Sequence, residues 1–423
     1  MRVSPSASTP QHRESSKFQT LLVALAFLIA SSPIVFRDRP DAFNLAMGLI
    51  TGLLLISARL RLRTTAGLVL FGAWAVLSLT WSYDLATSRD EIVALLLILA
   101  AAAAAASFEH RTIIRGLLFG SVGAVLASWA TGLLIPSQGR SIAFGGALVG
   151  IYAHRNFLAS VSAVALALSL AAILNASSPK SRRRALMAFF LAGTASVATL
   201  SGSAGVLTVV VVGLSLLPWI GRKMGPVGRV AILPLGIIVV ITSGILLVQS
   251  LPQISASVGR SATLTGRTDI WAIVLNVWSE RPFTGYGWGG VWRGQIGDWV
   301  RAIFGFDTAL SAHNGYLDVL LQLGIVGASI VALLLLGSII RSCRLAFSDL
   351  QYVWLPLVLG AVLVNSFSES QLTRPIGIFL IALVAAISRV EIRARRKAPL
   401  VKMAAVRGST AMPRTRMTRA RPR

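Results

Sequence analysis

Charge is scarce in this chain, and acid scarcest of all. Only 13% of its 423 residues are charged, and 15 Asp or Glu stand against 40 Lys or Arg. A soluble domain of this length would carry about a quarter charged residues. Cysteine occurs once, at Cys343, and histidine four times. A lone cysteine excludes a disulfide within the chain and a thiolate metal site. Cys343 follows an apolar segment and reads as a small apolar filler. The polar loops hold no H-E-x-x-H, no D-x-D pair and no aspartate-rich motif. No metal site and no cofactor is therefore expected. Also missing are a clear internal repeat and paired Gly/Pro-broken segments in two halves, which many secondary transporters show.

What the chain has is apolar length. It is 55% hydrophobic, with mean hydropathy +0.74. Runs of roughly 17–25 residues, enough to cross a bilayer as helix, recur along it. They are continuously apolar, which excludes the alternating pattern of a transmembrane β-barrel. The fold class expected is all-α, a polytopic membrane protein of about twelve transmembrane helices. The segments lie near 18–36, 42–58, 65–82, 91–107, 112–135, 157–175, 185–200, 203–220, 229–249, 314–340, 352–367 and 374–390. Only Ser201, Gly202 and Ser203 separate the seventh from the eighth, which suits a tight hairpin. Ala100–Ala106 and the Gly116/Gly120 pair suit close helix packing.

Basic residues fix an orientation. Arg59, Arg61 and Arg63, then Arg111 and Arg115, Lys180 and Arg182–Arg184, Arg222, Lys223 and Arg229, and Arg341 and Arg344 fall in alternate connections. Under the positive-inside rule those connections, and both termini, are cytoplasmic. A large extracytoplasmic loop, 250–312, then joins spans nine and ten. The polar N-terminus, 1–17, is expected to be disordered. The first apolar run is long and lacks an A-x-A site, so it reads as a span and not a cleaved signal. Net charge is +25, and residues 389–423 hold 12 Lys or Arg and one Glu, 12 − 1 = +11 of it. The tail, 391–423, reads as a disordered topology anchor that touches anionic membrane lipid. No folded module or aromatic stripe accompanies it, so nucleic acid is not an expected partner.

Residues 266–317 form the one long polar interruption. They hold Trp271, Trp278, Trp288, Trp292 and Trp299, five of the ten tryptophans, and His313. As a helix, 267–280 places Ile270, Trp271, Val274, Leu275 and Trp278 on one face, with Asp269, Asn276 and Glu280 opposite. Such a helix suits the outer membrane interface, tryptophans at headgroup depth. Arg267 projects from the apolar face. A charge aimed there is a functional candidate, against the plainer reading of a snorkelling arginine. Gly285, Gly287, Gly289 and Gly290 either let backbone approach a ligand or make a turn. His313 sits at the start of the tenth span, where Ser311 or Asn314 can cap the helix. The positive helix end favours a neutral ring able to accept a proton. Arg140, His154, Arg155 and Asn156, and later Glu369 and Arg374, are further outward-facing polar residues. Arginines gathered at a lipid-level cavity suit a diphosphate, which guanidinium grips in bidentate fashion.

These residues carry a family resemblance. Gly266-Arg267-x-x-Ile270-Trp271, Pro282-Phe283-x-Gly285-x-Gly287, His313-Asn314-x-Tyr316-Leu317 and Gly324-Ile325-Val326-Gly327 resemble the O-antigen ligase/polymerase superfamily. That group includes lipopolysaccharide O-antigen ligases and exopolysaccharide-type polymerases. His154-Arg155-Asn156-Phe157-Leu158-Ala159 resembles its basic-Asn-x-x-Ala stretch, and Ser366-x-Ser368-Glu369-Ser370-x-Leu372 its late Ser-x-Glu-x-x-Leu segment. The strong part covers roughly 195–330; the topology likeness covers nearly all of 18–390. In one place the chain departs. Many members carry Arg in a Leu-Ser-x-Ser-Arg-like stretch, and here Leu200-Ser201-Gly202-Ser203 is followed by Ala204.

The resemblance implies a metal-independent glycosyltransferase of the plasma (inner) membrane, working at its outer face. The donor implied is an undecaprenyl-diphosphate-linked oligosaccharide, and the acceptor a glycan or lipid. His313 would be base or orienter, and Arg267, Arg155 and Arg374 would hold the leaving diphosphate. Glu369 would orient an arginine or serve as base. Asn314, Tyr316, Trp271, Gly285 and Gly287 would line the substrate groove. Ligase and polymerase share these motifs and are not separated by them. The other class is a non-enzymatic flippase or transporter of the same lipid-linked oligosaccharide. It should keep charge near the midplane of several spans, where this chain has almost none.

Overall fold

The computed structural model describes residues 10–32, 34–36, 39–225, 267–292 and 311–409, with isolated positions between 228 and 298. The described residues are all-helical apart from one hairpin of two two-residue strands. The helices are α1 (Pro10–Ala30), α2 (Pro40–Ser57), α3 (Ala66–Leu77), α4 (Leu85–Ala105), α5 (His110–Leu134) and α6 (Arg155–Leu174). After these come α7 (Pro179–Ala198), α8 (Gly202–Arg222), α9 (Arg267–Glu280), α10 (Gly315–Ser348), α11 (Trp354–Asn365) and α12 (Pro375–Ser409). Each apolar segment read from the sequence coincides with one of them except the ninth. Residues 229–249 lie almost wholly outside the described residues, as does 250–266. Among the described residues, five helices are long and apolar enough to cross a membrane: Pro40–Ser57, His110–Leu134, Arg155–Leu174, Gly315–Ser348 and Pro375–Ala394.

Both ends of the helical body extend past the sequence reading. The first helix starts at Pro10, inside the stretch 1–17 expected to be disordered. The last runs to Ser409, through 391–409. Ala, Arg, Lys and Met are strong helix formers, and a helix already nucleated by its apolar half lengthens at little cost.

Small residues set the packing. A Cβ at Gly116 would lie 2.6 Å from Val23 Cβ, and one at Gly120 2.8 Å from the Ala24 carbonyl oxygen. The pair thus lets α5 lie directly on α1, as the GxxxG spacing suggests. The alanine run is buried from Ala101 to Ala106. The turn between α7 and α8 is as short as expected, with Leu200 at φ 47°.

α10 is broken at Gly324, where φ is 64° and ψ −171°. A Cβ there would meet the Phe283 carbonyl oxygen at 2.2 Å. The break frees backbone groups on α10, and the 282–287 loop takes them up. Tyr286 N donates to Leu321 O at 3.1 Å, Gly287 N to Gln322 O at 2.9 Å, and Ile325 N to Pro282 O at 2.8 Å. A kink in a long helix must have its loosened carbonyls and amides satisfied somewhere.

Candidate active site

The short link between α11 and α12, residues 366–374, carries Glu369, which is 1% exposed. Around it several helices begin. Asn156 lies in the first turn of α6, Ser201 directly precedes α8, Arg267 opens α9, His313 and Asn314 precede α10, and Arg374 directly precedes α12. Helix N-termini carry unpaired N–H groups and partial positive charge, so their convergence favours an anion.

The side chains close on the carboxylate. Arg267 Nη2 is 3.2 Å from Glu369 Oε1, Arg374 Nη2 is 3.4 Å from Oε2, and His313 Nδ1 is 3.5 Å from Oε2. Asn156 Nδ2 donates to Oε1 at 2.6 Å, and its own Oδ1 accepts from Ser201 Oγ at 3.0 Å. Arg267 Nη1 also donates to Ser368 O at 2.8 Å. Burial alone would raise the Glu369 carboxyl; His313, Arg374 and Arg267 outweigh it and hold it well below the usual carboxylate range. Two guanidiniums against one carboxylate still leave the cluster with excess positive charge. Buried charge in excess is costly unless a ligand of opposite sign offsets it.

Residues 185–332 match the family model for O-antigen ligase. Over that stretch the chain is similar to O-antigen ligases. The family points to ligase- or polymerase-type activity in surface polysaccharide biosynthesis at a membrane. No curated protein matches the chain. Of the cluster, Ser201, Arg267 and His313 fall within the matched residues. Asn156, Glu369 and Arg374 lie outside it and are brought in by the fold.

Other residues singled out in the sequence are placed as follows. Arg155 Nη1 donates to Leu200 O, and its guanidinium carbon lies 4.2 Å from the Phe144 ring centre. It therefore reaches the Leu200–Ala204 stretch at the start of α8. His154 accepts from Asn156 N at 3.2 Å through Nδ1, capping α6, and burial lowers its pKa to about 4. Arg140 is occupied within the hairpin of β1 (Arg140–Ser141) and β2 (Ala147–Leu148), donating to Gly132 O and Gly146 O. Asn314 caps α10, accepting from Tyr316 N at 3.0 Å and Leu317 N at 3.2 Å. The Tyr316 hydroxyl donates to Leu363 O at 2.9 Å.

The packing bears on two further expectations. The apolar face of α9 does not lie out against lipid. Ile270, Val274 and Val277 are buried in a cluster with Tyr286, Trp292 and Leu321, while Leu275 is exposed. The Trp271 indole donates to Ala312 O at 2.9 Å, and the Trp278 indole to Pro282 O. Both indole acceptors are backbone carbonyls of the turns that flank the helix–helix contact, so the tryptophans are tied to protein. Gly285 and Gly287 sit apart from the carboxylate's contacts. A Cβ at Gly285, φ 65°, would meet Gln322 backbone at 2.6 Å; one at Gly287, φ 93°, would meet Ser82 at 2.7 Å. Their conformational freedom serves the packing of α10.

Sequence reasoning gave Asn156 no role, although it links Glu369 to Ser201. The available signal was a carboxamide in the first turn of a strongly apolar helix. Asp318 was also missed. It is 0% exposed, and its Oδ1 accepts from both the Trp292 indole, at 2.9 Å, and Ala312 N, at 3.0 Å. Among the described residues, no group of three His, Cys, Asp or Glu gathers as a metal site would need.

Proposed function

We propose that this protein is a surface-glycan glycosyltransferase of the inner membrane, with about twelve spans, cytoplasmic termini and its site at the outer face. It transfers or polymerises oligosaccharide from an undecaprenyl-diphosphate-linked donor onto a glycan or lipid acceptor. The observation that carries this reading is the convergence of Arg267, Arg374 and His313 on buried Glu369.

The chemistry follows from the charges. The acceptor hydroxyl attacks the anomeric carbon, the carbon–oxygen bond to the diphosphate breaks, and its electrons leave with undecaprenyl diphosphate. Arg267, Arg374 and Arg155 offset the charge growing on that oxygen, the kind of preorganised stabilisation that dominates such steps. Arg155 takes the place of the arginine absent at Ala204. Glu369 is engaged by Asn156 and two arginines and is held in its ionised form, so it orients and does not act as base. His313 is the more open partner. With Nδ1 toward Glu369, its Nε2 is left to take the acceptor proton, the base-and-orienter logic of catalytic triads. Its 3.5 Å contact is long, and such contacts tighten once substrate is bound.

The flippase reading also needs arginines and a cavity. It gives a different phenotype: deletion would trap the lipid-linked precursor in the cytoplasmic leaflet, whereas transferase loss leaves it outside and unlinked. The direct test is transfer by the purified protein from lipid-linked donor in excess EDTA. Activity is retained, because the step runs on arginines and a histidine. Activity lost in EDTA and restored by Mg²⁺ or Mn²⁺ would overturn the metal-independent mechanism.

A further inference from the structure

One hydroxyl in the helical core gathers three elements next to the carboxylate cluster. Ser160 lies on α6, one turn after Asn156 and so on the same face. Its Oγ donates to Asn156 O at 2.8 Å and accepts from Asn365 Nδ2 at 2.5 Å and Gln371 Nε2 at 3.0 Å. A serine hydroxyl has one proton and two lone pairs, so this one is fully used. Asn365 ends α11, and Gln371 lies in the link that carries Glu369. All three side chains are buried.

The two carboxamides stand on either side of Glu369, and their backbone holds it too. Glu369 N donates to Asn365 O at 2.8 Å, and Gln371 N donates to Glu369 O at 2.9 Å. Helix α6 thus grips Glu369 twice. Asn156 binds the carboxylate, and Ser160 binds both flanks of its backbone. Packing alone does not call for this arrangement. A satisfied pair of buried polar groups can be exchanged for apolar groups of the same shape at little loss of stability, and the rest of α6 buries mainly alanine, leucine and valine. What a buried network adds is one fixed geometry, because any slip leaves an amide without its acceptor.

We propose that Ser160 is a positioning residue for Glu369, setting the carboxylate's place against α6 and through it the places of His313, Arg267 and Arg374. The proposal rests on the glycosyltransferase reading, in which Glu369 orients those groups. Ser160 is buried and transfers no proton to substrate. It works by holding the 366–374 link in one register on α6. The contacts that depend on this register are 3.2–3.5 Å long, so a small slip of the link undoes them. Misplacing a catalytic group by about 1 Å costs on the order of 10²-fold in rate.

Transfer kinetics per folded molecule test this. Ser160→Ala removes the acceptor of both carboxamides, and kcat should fall about 10²-fold, with donor and acceptor KM moved far less. Ser160→Thr keeps the hydroxyl and should restore most of kcat. Ser162→Ala deletes another buried hydroxyl of α6 and should leave kcat at the wild-type level. Normal kcat in Ser160→Ala at whatever melting temperature, a change confined to KM, or an equal loss in Ser162→Ala overturns the proposal. Should Ser160→Ala not fold, Gln371→Met gives up one of the two bonds and must lower kcat in the same way. A second readout needs no transfer. Diethyl pyrocarbonate should modify His313 faster in Ser160→Ala than in wild type, because the ring is released from Glu369, and at the wild-type rate in Ser160→Thr. An unchanged rate in Ser160→Ala also overturns the proposal. Wild-type protein that transfers nothing refutes the transferase reading instead, and the His313 rate still decides for Ser160.

Discussion

The two described parts of the polar segment 266–317 look alike in sequence, both rich in tryptophan and in residues out of place in a membrane. They do different work. The part around Arg267 and His313 directs its polar groups at Glu369. The part from Pro282 to Trp292 directs its own at backbone freed by the Gly324 break and at the starts of α4 and α10. One part leaves positive charge short of a partner; the other leaves its backbone satisfied. A polar loop beside a membrane is thus not uniformly a site. Charge in excess marks the working part, and positive-φ glycine in close backbone contact marks the supporting part.

Substitutions should separate the two by what they damage. The largest effect is expected for His313→Ala, which removes the proposed proton acceptor. Transfer should fall about 10²–10⁴-fold, with thermal unfolding in detergent unchanged; near-normal transfer at matched protein level would show His313 to be only a helix-start residue. Arg267→Lys should not rescue, because the ammonium loses the planar fork. Next is Glu369→Gln. It leaves Arg267 and Arg374 buried without their counter-charge, a loss of about 3–5 kcal/mol, so stability and activity should drop together. An unchanged melting temperature would mean that the carboxylate holds nothing in place.

Gly285→Ala should show the opposite pattern to His313→Ala. It forces a Cβ into Gln322 backbone at positive φ, about 1–3 kcal/mol of strain. Protein yield and melting temperature should fall, while activity per folded molecule stays close to normal. Full stability with lost activity would move Gly285 into the site. The smallest effect concerns His154. Its pKa is about 4 when folded, against 6.5 unfolded. Folding thus favours the neutral ring, and the unfolded chain takes the proton first as pH falls. Stability should decline from about pH 6.5 to about pH 4 and then level off. His154→Asn keeps a capping oxygen and should flatten that slope; an identical slope in the variant would assign it elsewhere.

Helices were legible in the sequence because a membrane forces long continuous apolar runs, and those runs matched α-helices wherever the structure is described. Their ends were less legible. Nothing in hydropathy says that a helix should start at Pro10 or continue to Ser409. Of the candidate site, Arg267, His313, Glu369 and Arg374 stood out in the sequence by type and by their place between apolar segments. That they meet on one carboxylate was not readable, since about a hundred residues separate Arg267 from Glu369. Asn156 stood in a recognisable stretch, but its link from Glu369 to Ser201 was not readable, and Asp318 escaped because a single buried polar residue has no pattern. For Gly285 and Gly287 the sequence left ligand approach and turn both open, because a glycine is silent about which backbone it approaches.

Asp318 has a consequence beyond packing. One of its oxygens holds Trp292 and Ala312 together, the two residues that flank 293–311. Ala312 directly precedes His313, so one buried side chain on α10 fixes the backbone that carries the candidate histidine. The end of the 282–292 segment and the turn before α10 are pinned to the same helix at a single oxygen, and a change at either one is felt at the other.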